Sequence, residues 1–330
     1  MKKFNVAVVG ASGMVGRTFL SILEERRFPI ENFYAFSSAK SAGQKITFCG
    51  REYTLEELTE NSFDRDIDIA LFSAGGDTSK KFSPIAASKG VVVIDNSSAF
   101  RMDKDVPLVV PEVNPEDISK NNGIIANPNC STIQAVVALK PLLDKYGINR
   151  IVYSTYQAVS GAGMGGVTDL EEGIKGNPPK KFPKPIAYNA LPHIDVFTEN
   201  GYTKEELKMI DETRKILGVP DMRVTATTVR IPVFSAHSES VNVELSKPFE
   251  LEDVVSLLKD ADGVVVMNDF MAGEYPTPAE IEGKDEVYVG RIRRDFSIEN
   301  GLNLWVVADN VRKGAALNAV QIAEKLIETM

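Results

Sequence analysis

Cysteine and histidine are scarce in this sequence, and their scarcity excludes several kinds of protein. Two cysteines and two histidines occur among 330 residues. Two cysteines far apart in the chain argue against a disulfide framework and favour a reducing compartment, so we expect a cytoplasmic protein. No metal-ligand spacing is present, and so few nitrogen and sulfur ligands argue against a zinc site; we therefore expect no metal.

Long apolar runs and an excess of positive charge are also absent. No run approaches the ~20 residues that a membrane span requires, so we expect no membrane partner. Met1, Lys2 and Lys3 precede only a short apolar run, which is typical of a first strand and not of a secretory signal. The net charge is −9 and basic residues are scattered, which argues against nucleic acid as the main partner.

The composition, 43% hydrophobic and 25% charged, is typical of a globular protein, and 330 residues suggest two domains. Apolar runs at residues 4–9, 67–72 and 91–94 alternate with helical periodicity. This alternation predicts an N-terminal, Rossmann-like, doubly wound parallel sheet. Ligands bind at the carboxyl ends of such strands, so residues 73–78 and 96–101 should face a cofactor or substrate.

The pattern changes after residue 147. Stretches rich in β-branched residues are separated there by glycine turns and by a polar amphipathic helix. They predict a second, α+β domain with a mixed, mostly antiparallel sheet. We expect the first domain at residues 1–129, with a C-terminal helix at residues 311–330 packing back on it, and the second domain at residues 130–310.

A glycine turn follows the first predicted strand and opens a helix. Gly10, Gly13 and Gly16 have GxxGxxG spacing, a variant of the GxGxxG dinucleotide fingerprint in which a helix N-terminus faces the pyrophosphate. A glycine turn without a binding role fits the same residues. The second strand ends in S-S-A-K-S at residues 37–41, where hydroxyls and a cation suit a 2′-phosphate and favour NADP. A solvated turn has a similar composition.

Cys130 lies in N-P-N-C-S-T-I-Q, residues 127–134. Ser131 with Gln134 three residues later predicts a capping box, which puts Cys130 just ahead of a helix N-terminus. The partial positive charge there stabilises a thiolate and suits a nucleophile. A cysteine can also be a small buried hydrophobe, so partners elsewhere in the chain must decide.

Arg230 and His237 lie seven residues apart in a stretch, residues 223–245, that predicts one long strand with a kink. Odd spacing puts them on opposite faces of a regular strand. Pro232 and the small residues near Ser235 favour a bend that re-aims one of them. A polar strand histidine without a catalytic role fits the same pattern.

Seven segments together resemble the aspartate-β-semialdehyde dehydrogenase family, in the family's order and across nearly the whole chain. They are G-A-S-G-M-V-G, D-N-S-S-A-F-R, N-P-N-C-S-T-I-Q, S-T-Y-Q-A-V-S-G-A-G-M, E-T-R-K-I, V-R-I-P-V-F-S-A-H-S-E-S and W-V-V-A-D-N. The resemblance implies NADP-dependent reductive dephosphorylation of L-4-aspartyl phosphate to L-aspartate 4-semialdehyde through a cysteine thioester. It implies a role in lysine, diaminopimelate, methionine and threonine biosynthesis, and a homodimer or tetramer assembled through the second, catalytic domain.

The resemblance also implies roles for individual residues. It makes Cys130 the nucleophile and His237 the acid/base, with an unperturbed pKa near 6.5 that lets it exchange protons at neutral pH. Asn129 belongs to the catalytic group, and Gln157 orients the substrate. The substrate's other groups are bound by Arg230 (α-carboxylate), Glu212 (α-amino group), and Arg101 with Lys215 (phosphate).

The cofactor residues follow from the same resemblance. They are Gly10, Ala11, Ser12, Gly13, Met14 and Val15 around the pyrophosphate, Ser37, Ser38, Lys40, Ser41, Ala74 and Thr78 around the 2′-phosphate and adenosine, and Ser160, Gly161 and Asn310 near the nicotinamide. Lys40 stands where family members often have arginine. A flexible point charge replaces a planar fork there, which leaves the strictness of the NADP preference open.

Two other functions remain compatible with the sequence. One is a related acyl-phosphate reductase, acting on N-acetylglutamyl phosphate, and the other is a non-catalytic NADP-binding regulator. Glu212 favours a substrate with a free ammonium group over an acetamide. The retention of Cys130, Gln157, Arg230 and His237 together favours an enzyme over a regulator. His193 and Cys49 receive no role.

Overall fold

The computed structural model describes residues 2–330, which form two compact units. The first unit consists of the residues up to Pro128 together with Ala315–Met330, and the second unit is Asn129–Gly314. Within residues 2–330, no helix combines the length and the hydrophobicity that crossing a membrane requires.

The first unit opens with the strand, glycine turn and helix that the sequence predicts. Strand β1 is Phe4–Val9 and helix α1 is Met14–Glu25. The elements that follow in this unit are β2 (Ile30–Ser37), β3 (Lys45–Phe48), β4 (Arg51–Thr54), β5 (Glu56–Glu57), β6 (Ile69–Phe72), helix α2 (Gly76–Ser88), β7 (Val92–Asp95) and β8 (Ile124–Ala126).

Six of these strands form a parallel sheet in the order β5-β2-β1-β6-β7-β8, and β3 pairs with β4 separately. The strand order reverses between β1 and β6, which is the doubly wound arrangement that the sequence predicts. Every residue of β1 is buried, because both faces of the sheet are covered. Val6 and Val8 pack in one apolar cluster, whereas Ala7 and Val9 pack in another.

The second unit begins with helix α3 (Cys130–Tyr146) and the long strand β9 (Ile148–Gln157). The elements that follow are α4 (Met164–Ile174), α5 (Lys204–Leu217), β10 (Arg223–Arg230), β11 (His237–Leu245), α6 (Leu251–Lys259), β12 (Val264–Val266), α7 (Pro278–Ile281), β13 (Val287–Asp295) and β14 (Gly301–Ala308).

The sheet of the second unit has the strand order β10-β9-β11-β14-β13-β12. The pairs β10–β9 and β12–β13 are parallel, and the pairs between β9, β11, β14 and β13 are antiparallel. The sheet is therefore mixed and mostly antiparallel, as predicted.

The two faces of this sheet differ in burial. Along β11, Glu239, Val241 and Val243 are at most 1% exposed, whereas the alternate residues Ser240 and Asn242 are half-buried. Helices α3 and α5 contact the sheet. Because successive side chains of a strand point to opposite faces, one face belongs to the core and the other stays partly open to solvent.

The chain returns to the first unit at its C-terminal end. A π-helical turn at Arg312–Ala316 leads into helix α8, Leu317–Ile327. The apolar side chains of α8 join one of the two apolar clusters of the first unit. Its buried Asn318 donates through Nδ2 to Oδ1 of Asn127 at 2.7 Å, so the polar group of this helix is satisfied inside the unit.

Candidate active site

Three neighbouring strands of the second unit carry three of the predicted site residues at one edge of the sheet. Gln157 ends β9, and the parallel register pairs it with Arg230, the last residue of β10. On the other side of β9, Ser238 pairs with Tyr156, so His237 lies beside Gln157. Strand pairing therefore brings Arg230, Gln157 and His237 together, with Gln157 in the middle.

The prediction of one long, kinked strand over residues 223–245 is wrong. β10 ends at Arg230 and β11 begins at His237, and they flank β9 with opposite directions. The connection between them contains Pro232 and Ala236, and Ala236 has a φ of +65°. A reversal of the chain, and not a bend within a strand, brings Arg230 and His237 to the same edge.

Cys130 is the first residue of α3, where the backbone N–H groups lack helical partners. The capping residue is Asn129, whose Oδ1 accepts hydrogen bonds from the N–H of Ser131 at 3.0 Å and of Thr132 at 3.3 Å. The predicted capping box of Ser131 and Gln134 is therefore wrong, because Ser131 already lies inside the helix. The thiol is partly exposed at the positive end of the helix dipole.

Cys130, Arg230 and His237 belong to one cluster. Burial lowers the pKa of Arg230, and the charge of Glu205 and then that of Cys130 oppose this without reversing it, so both side chains lie within electrostatic reach of the guanidinium. A Cβ on Gly161 would lie 2.8 Å from Nη1 of Arg230 and 3.1 Å from Nε2 of His237. Arg230 and His237 therefore both lie close to the backbone of Gly161, and a side chain at residue 161 would crowd both of them.

His237 is fully buried and is held in one tautomer. The N–H of Ala158 donates to Nδ1 at 3.0 Å, so the neutral ring carries its proton on Nε2. Among residues 2–330, Nε2 has no hydrogen-bond partner. Burial, followed by the charge of Arg230, lowers the pKa of His237 well below 6.5. Both influences disfavour the charged ring, and in its neutral form the ring is a donor through Nε2.

Arg230 is a buried cation whose hydrogen-bond donors are only partly satisfied. It is 5% exposed, and its Nη1 donates to the carbonyl oxygen of Ala158 at 2.6 Å. Its Nε has no hydrogen-bond partner within the described part of the chain, residues 2–330. The ring of Phe182 lies 6.0 Å from the guanidinium carbon. A planar guanidinium with an unsatisfied N–H suits a carboxylate, which accepts two parallel hydrogen bonds.

Helix α5 carries two further predicted residues. Glu212 is 1% exposed, and its Oε2 accepts the N–H of Asn129 at 2.6 Å. Lys215, almost one turn later, is half-buried. The hydrogen bond between Glu212 and Asn129 holds the residue that caps α3, the helix that begins with Cys130. The sequence did not predict this contact.

Arg101, the other predicted phosphate residue, lies in the first unit. It is 7% exposed, and its Nε donates to the carbonyl oxygen of Asn127 at 2.9 Å, while Nη2 donates to that of Asn96 at 3.0 Å. Both acceptors follow strands of the parallel sheet, β7 and β8. Backbone carbonyls therefore fix the guanidinium at the carboxyl edge of that sheet, where ligands bind in doubly wound folds.

The residues predicted near the nicotinamide come together in the second unit. Asn310 donates through Nδ2 to Oγ of Ser160 at 3.0 Å, and its Oδ1 accepts the N–H of Ala236 at 2.9 Å. Ser160 and Asn310 are both buried, and Gly161 follows directly in the same short turn. Asn310 thus connects the turn after β9 to the residue before His237.

The predicted pyrophosphate loop connects β1 to α1 in the first unit. Gly10 has a φ of +84°, and a Cβ there would lie 2.4 Å from the carbonyl oxygen of Ser73, so only glycine fits. Ala11 and Ser12 complete the turn, and Gly13 caps α1 without a side chain. The first turn, which starts with Met14 and Val15, contains no acidic residue. This helix N-terminus suits the pyrophosphate of a dinucleotide.

The residues predicted around the adenosine lie at the ends of neighbouring strands. Ser37 ends β2; Ser38 and Lys40 are exposed beyond it, and Ser41 is half-buried. Ala74 and Thr78 follow β6, with Thr78 in the first turn of α2. Because β2, β1 and β6 are adjacent and parallel, these segments and the glycine loop share one edge of the sheet.

Comparison with known proteins matches each of the two units to a domain of the same enzyme family. The family model described as semialdehyde dehydrogenase, NAD binding domain, matches residues 5–121, and that described as semialdehyde dehydrogenase, dimerisation domain, matches residues 139–313. A curated relative from Aquifex aeolicus, named aspartate-semialdehyde dehydrogenase, is 59% identical, with 98% of each chain covered. The chain belongs to the aspartate-semialdehyde dehydrogenase family. The resemblance of the seven segments is thereby confirmed.

Other members of the aspartate-semialdehyde dehydrogenase family share the sequence and the fold. The Bacillus subtilis enzyme is 50% identical, with 98% of this chain and 97% of the relative covered. Aspartate semialdehyde dehydrogenase II from Vibrio cholerae, solved in complex with ASA, superposes with a TM-score of 0.96 at 50% identity over 99% of each chain. The Candida albicans enzyme, solved with NADP, has a TM-score of 0.79 at 26% identity over 99% of each chain. The predicted α/β fold and the oxidoreductase class are confirmed.

Three features of this family member's site escaped the sequence analysis. Glu205 accepts hydrogen bonds from Asn129 and Gln157. Its position seven residues before Glu212, on the same face of α5, was a signal that could have found it. The N–H of Ala158 is a backbone group and leaves no trace in residue type. Gly314 lies so close to Cys130 that a Cβ there would be 3.0 Å from the cysteine Cβ.

Glu239 is a fully buried carboxyl group in the core of the second unit. Neither of its oxygens has a hydrogen-bond partner among residues 2–330. Burial raises its pKa well above 4.5, and nearby Gln134 opposes this without reaching hydrogen-bonding geometry. The folded state therefore keeps a proton that the unfolded chain loses above pH ~4.3. Stability must fall as pH rises from there to the folded-state pKa.

We expect Glu239→Gln to stabilise the protein at pH 8 by on the order of 1 kcal/mol, because the amide removes the ionisation that favours the unfolded chain. Near pH 4 the variant and the parent should be equally stable. Urea unfolding at both pH values measures the difference. Glu244→Gln, on the half-buried face of the same strand, is the control and should bring no gain at pH 8. A Glu239→Gln variant less stable than the parent at pH 8 would contradict the neutral carboxyl.

Proposed function

We propose that this enzyme catalyses the reductive dephosphorylation of L-4-aspartyl phosphate to L-aspartate 4-semialdehyde, with NADPH as the reductant and a thioester on Cys130 as the intermediate. The reverse reaction is the phosphorylating oxidation of the aldehyde. The cluster of a partly exposed thiol at a helix N-terminus, a buried arginine and a buried neutral histidine carries this proposal. The complex of the Vibrio cholerae relative with ASA supports the choice of substrate.

Cys130 performs the covalent chemistry. Its thiolate attacks the acyl carbon, the new C–S bond forms, and the C–O bond to phosphate breaks, so that phosphate leaves with the electron pair. The resulting thioester accepts a hydride at its carbonyl carbon more readily than a carboxylate would. The nicotinamide cofactor, when bound, supplies that hydride. The C–S bond then breaks, the thiolate of Cys130 is regenerated, and the aldehyde leaves.

His237 stabilises the oxygen that gains charge. Because Nδ1 is occupied by the N–H of Ala158, Nε2–H is the group that the ring offers to the site. This N–H donates to the acyl oxygen as it becomes negative, first in thioester formation and again in reduction. A donor fixed before the reaction stabilises such charge without the cost of reorienting during the step.

Charged side chains select the substrate. Arg230 binds the α-carboxylate through its free Nε and its fork of N–H groups. Glu212, whose carboxylate also accepts the N–H of Asn129, binds the positively charged α-amino group. Lys215 and Arg101 bind the phosphate group, and Gln157 orients the acyl group beside Cys130. This set of charges matches an amino acid whose side chain carries an acyl phosphate.

The cofactor is NADP in this proposal. The end of β2 offers Ser37, Ser38 and Lys40 and no carboxylate, and a carboxylate there would bind a ribose 2′-hydroxyl and repel a 2′-phosphate. The NADP in the Candida albicans relative supports the choice. Lys40 provides a single flexible charge, so we expect a preference for NADP over NAD that is weaker than an arginine would give.

The enzyme acts as a homodimer, or as a tetramer built from such dimers, in the cytoplasm. The partly open face of the second unit's sheet carries Tyr156, which is 37% exposed and lies 5.5 Å from the ring of Trp305. Large aromatic side chains on an open face favour a protein interface. Cys49 and Cys130 are free thiols, which suits a reducing compartment. We place the reaction in lysine, diaminopimelate, methionine and threonine biosynthesis.

One assay tests the reaction and the cofactor together. Purified enzyme is mixed with L-aspartate 4-semialdehyde and NADP⁺, with and without inorganic phosphate, and NADPH formation is followed by absorbance. We expect formation to require phosphate and to be slower with NAD⁺. Equal turnover of N-acetylglutamate semialdehyde would indicate the related acyl-phosphate reductase. No NADPH with any of these substrates would indicate a non-catalytic protein and end the proposal.

A further inference from the structure

Glu205 places a buried carboxylate between two residues of the proposed active site. It lies in the first turn of α5 and is 5% exposed. Its Oε1 accepts a hydrogen bond from Nδ2 of Asn129 at 2.9 Å and another from Nε2 of Gln157 at 3.1 Å. Its Oε2 accepts from Nζ of Lys208 at 3.2 Å. One oxygen therefore serves the site, and the other is paired with a cation.

The carboxyl group of Glu205 is ionised in this environment. Burial raises its pKa, but the charge of Lys208 and the hydrogen bonds from Asn129 and Gln157 oppose burial and prevail, so the pKa is lowered. Lys208 is itself anchored, because its Nζ also donates to Oδ2 of Asp195 at 2.8 Å. The carboxylate is held from behind and presents two lone pairs to the two amides.

Each amide is oriented by this contact. A primary amide can present either its oxygen or its nitrogen to a neighbour. Because Nδ2 of Asn129 faces Glu205, Oδ1 faces the N–H groups of Ser131 and Thr132 and caps the helix that begins with Cys130. Exchange of the two amide atoms would remove that cap.

Gln157 is oriented in the same way. Its Nε2 donates to Glu205, and its Oε1 accepts from Oγ1 of Thr155 at 2.9 Å. The side chain is 1% exposed, so it has no solvent with which to exchange these partners. A single carboxylate oxygen thus sets both the cap of the nucleophile's helix and the direction of the glutamine beside Arg230 and His237.

We propose that Glu205 is a positioning residue that aligns Cys130, through Asn129, with the acyl group that Gln157 orients. The roles of Cys130 and Gln157 rest on the proposed function. Misplacement of reacting groups by about 1 Å can lower a rate by about 100-fold. We expect loss of this carboxylate to reduce kcat by that order and to change KM little, because Arg230 still binds the substrate.

The neighbouring Glu206 provides a matched control. It is also buried in the first turn of α5, where its Oε2 accepts the N–H of Thr203 at 2.8 Å and its Oε1 that of Thr228 at 3.0 Å. Neither partner belongs to the proposed site. Glu205→Ala and Glu206→Ala each remove a buried carboxylate from the same helical turn, but only the first removes the acceptor for Asn129 and Gln157.

Kinetics of three full-length variants test the proposal. Glu205→Ala should lower kcat by about 100-fold per folded enzyme, whereas Glu206→Ala should lower it by less than about threefold. Glu205→Gln should recover most of the activity, because its amide oxygen still accepts from both side chains. A purely structural role predicts the same kcat loss in Glu205→Ala and Glu206→Ala and no recovery in Glu205→Gln; that result would overturn the proposal.

Hydrogen exchange supplies a readout that does not depend on turnover. In Glu205→Ala the N–H groups of Ser131 and Thr132 should exchange faster, because Asn129, which caps them, loses its hydrogen bond to Glu205. In Glu206→Ala the N–H groups of Thr203 and Thr228 should exchange faster, because they lose their acceptor. Unchanged exchange at residues 131 and 132 in Glu205→Ala would sink the proposal even if the wild type is fully active. Faster exchange there, in a protein without dehydrogenase activity, would uphold the positioning role and refute only the proposed reaction.

Discussion

Replacing Cys130 by alanine is expected to reduce phosphate-dependent NADPH formation by about 10⁴-fold or more. No other described side chain in the cluster could replace Cys130 in the proposed thioester: His237 is held as a donor, Arg230 is a cation, and Gln157 is an amide. The variant should fold, because the thiol is partly exposed and its helix is capped by the side chain of Asn129. Absorbance of NADPH measures the loss, and circular dichroism checks the fold.

Cys49→Ala is the matched control for this prediction. Cys49 is the other cysteine of the chain, it is exposed, and it lies in the first unit. Its replacement should leave the rate within about twofold of the wild type, since a surface substitution away from a special contact has little effect. Retention of phosphate-dependent activity by Cys130→Ala, or its loss in Cys49→Ala, would disprove the thioester mechanism as proposed.

The parallel sheet could be predicted because its signals are local. Strands β1, β6 and β7 are short apolar runs, and the chirality of the crossovers then restricts the order in which such strands pair. The position of Gly10 between β1 and α1 needs no more than these neighbours. The roles of the residues around it came from the family resemblance, since residue type alone left a plain glycine turn open.

The errors arose where distant parts of the chain decide the structure. Residues 223–245 look like one strand because both halves are rich in β-branched residues, and only pairing with β9 on both sides shows that the chain reverses after Arg230. Asn129 and Ser131 are both good caps, and the choice between them depends on Glu205 and Glu212, more than 70 residues away. The spacing of residues within a segment predicts neither the chain reversal after Arg230 nor the choice of Asn129 as the cap.

His237→Ala is expected to lower kcat by about 10³-fold, within the range that a positioned proton or hydrogen-bond donor contributes. His237→Gln should retain more activity, because its side-chain N–H₂ replaces the Nε2–H donor. Burial, and then the charge of Arg230, holds the pKa of His237 well below 6.5, so the ring stays neutral over the working pH range. The wild-type kcat should therefore show no ionisation near pH 6.5. The measurement is kcat from about pH 5.5 to 9 for the wild type and both variants.

His193→Ala serves as the control, since this second histidine stacks on Phe197 at 4.4 Å between ring centroids and lies outside the cluster. Its kcat should equal that of the wild type. An ionisation near pH 6.5 that is present in the wild type and in His193→Ala but absent from His237→Gln would show that His237 exchanges its proton during turnover. In that case Nδ1 must lose the hydrogen bond from Ala158, and the ring acts as an acid and base. If no such ionisation is observed, the ring assists Cys130 as a fixed Nε2–H donor.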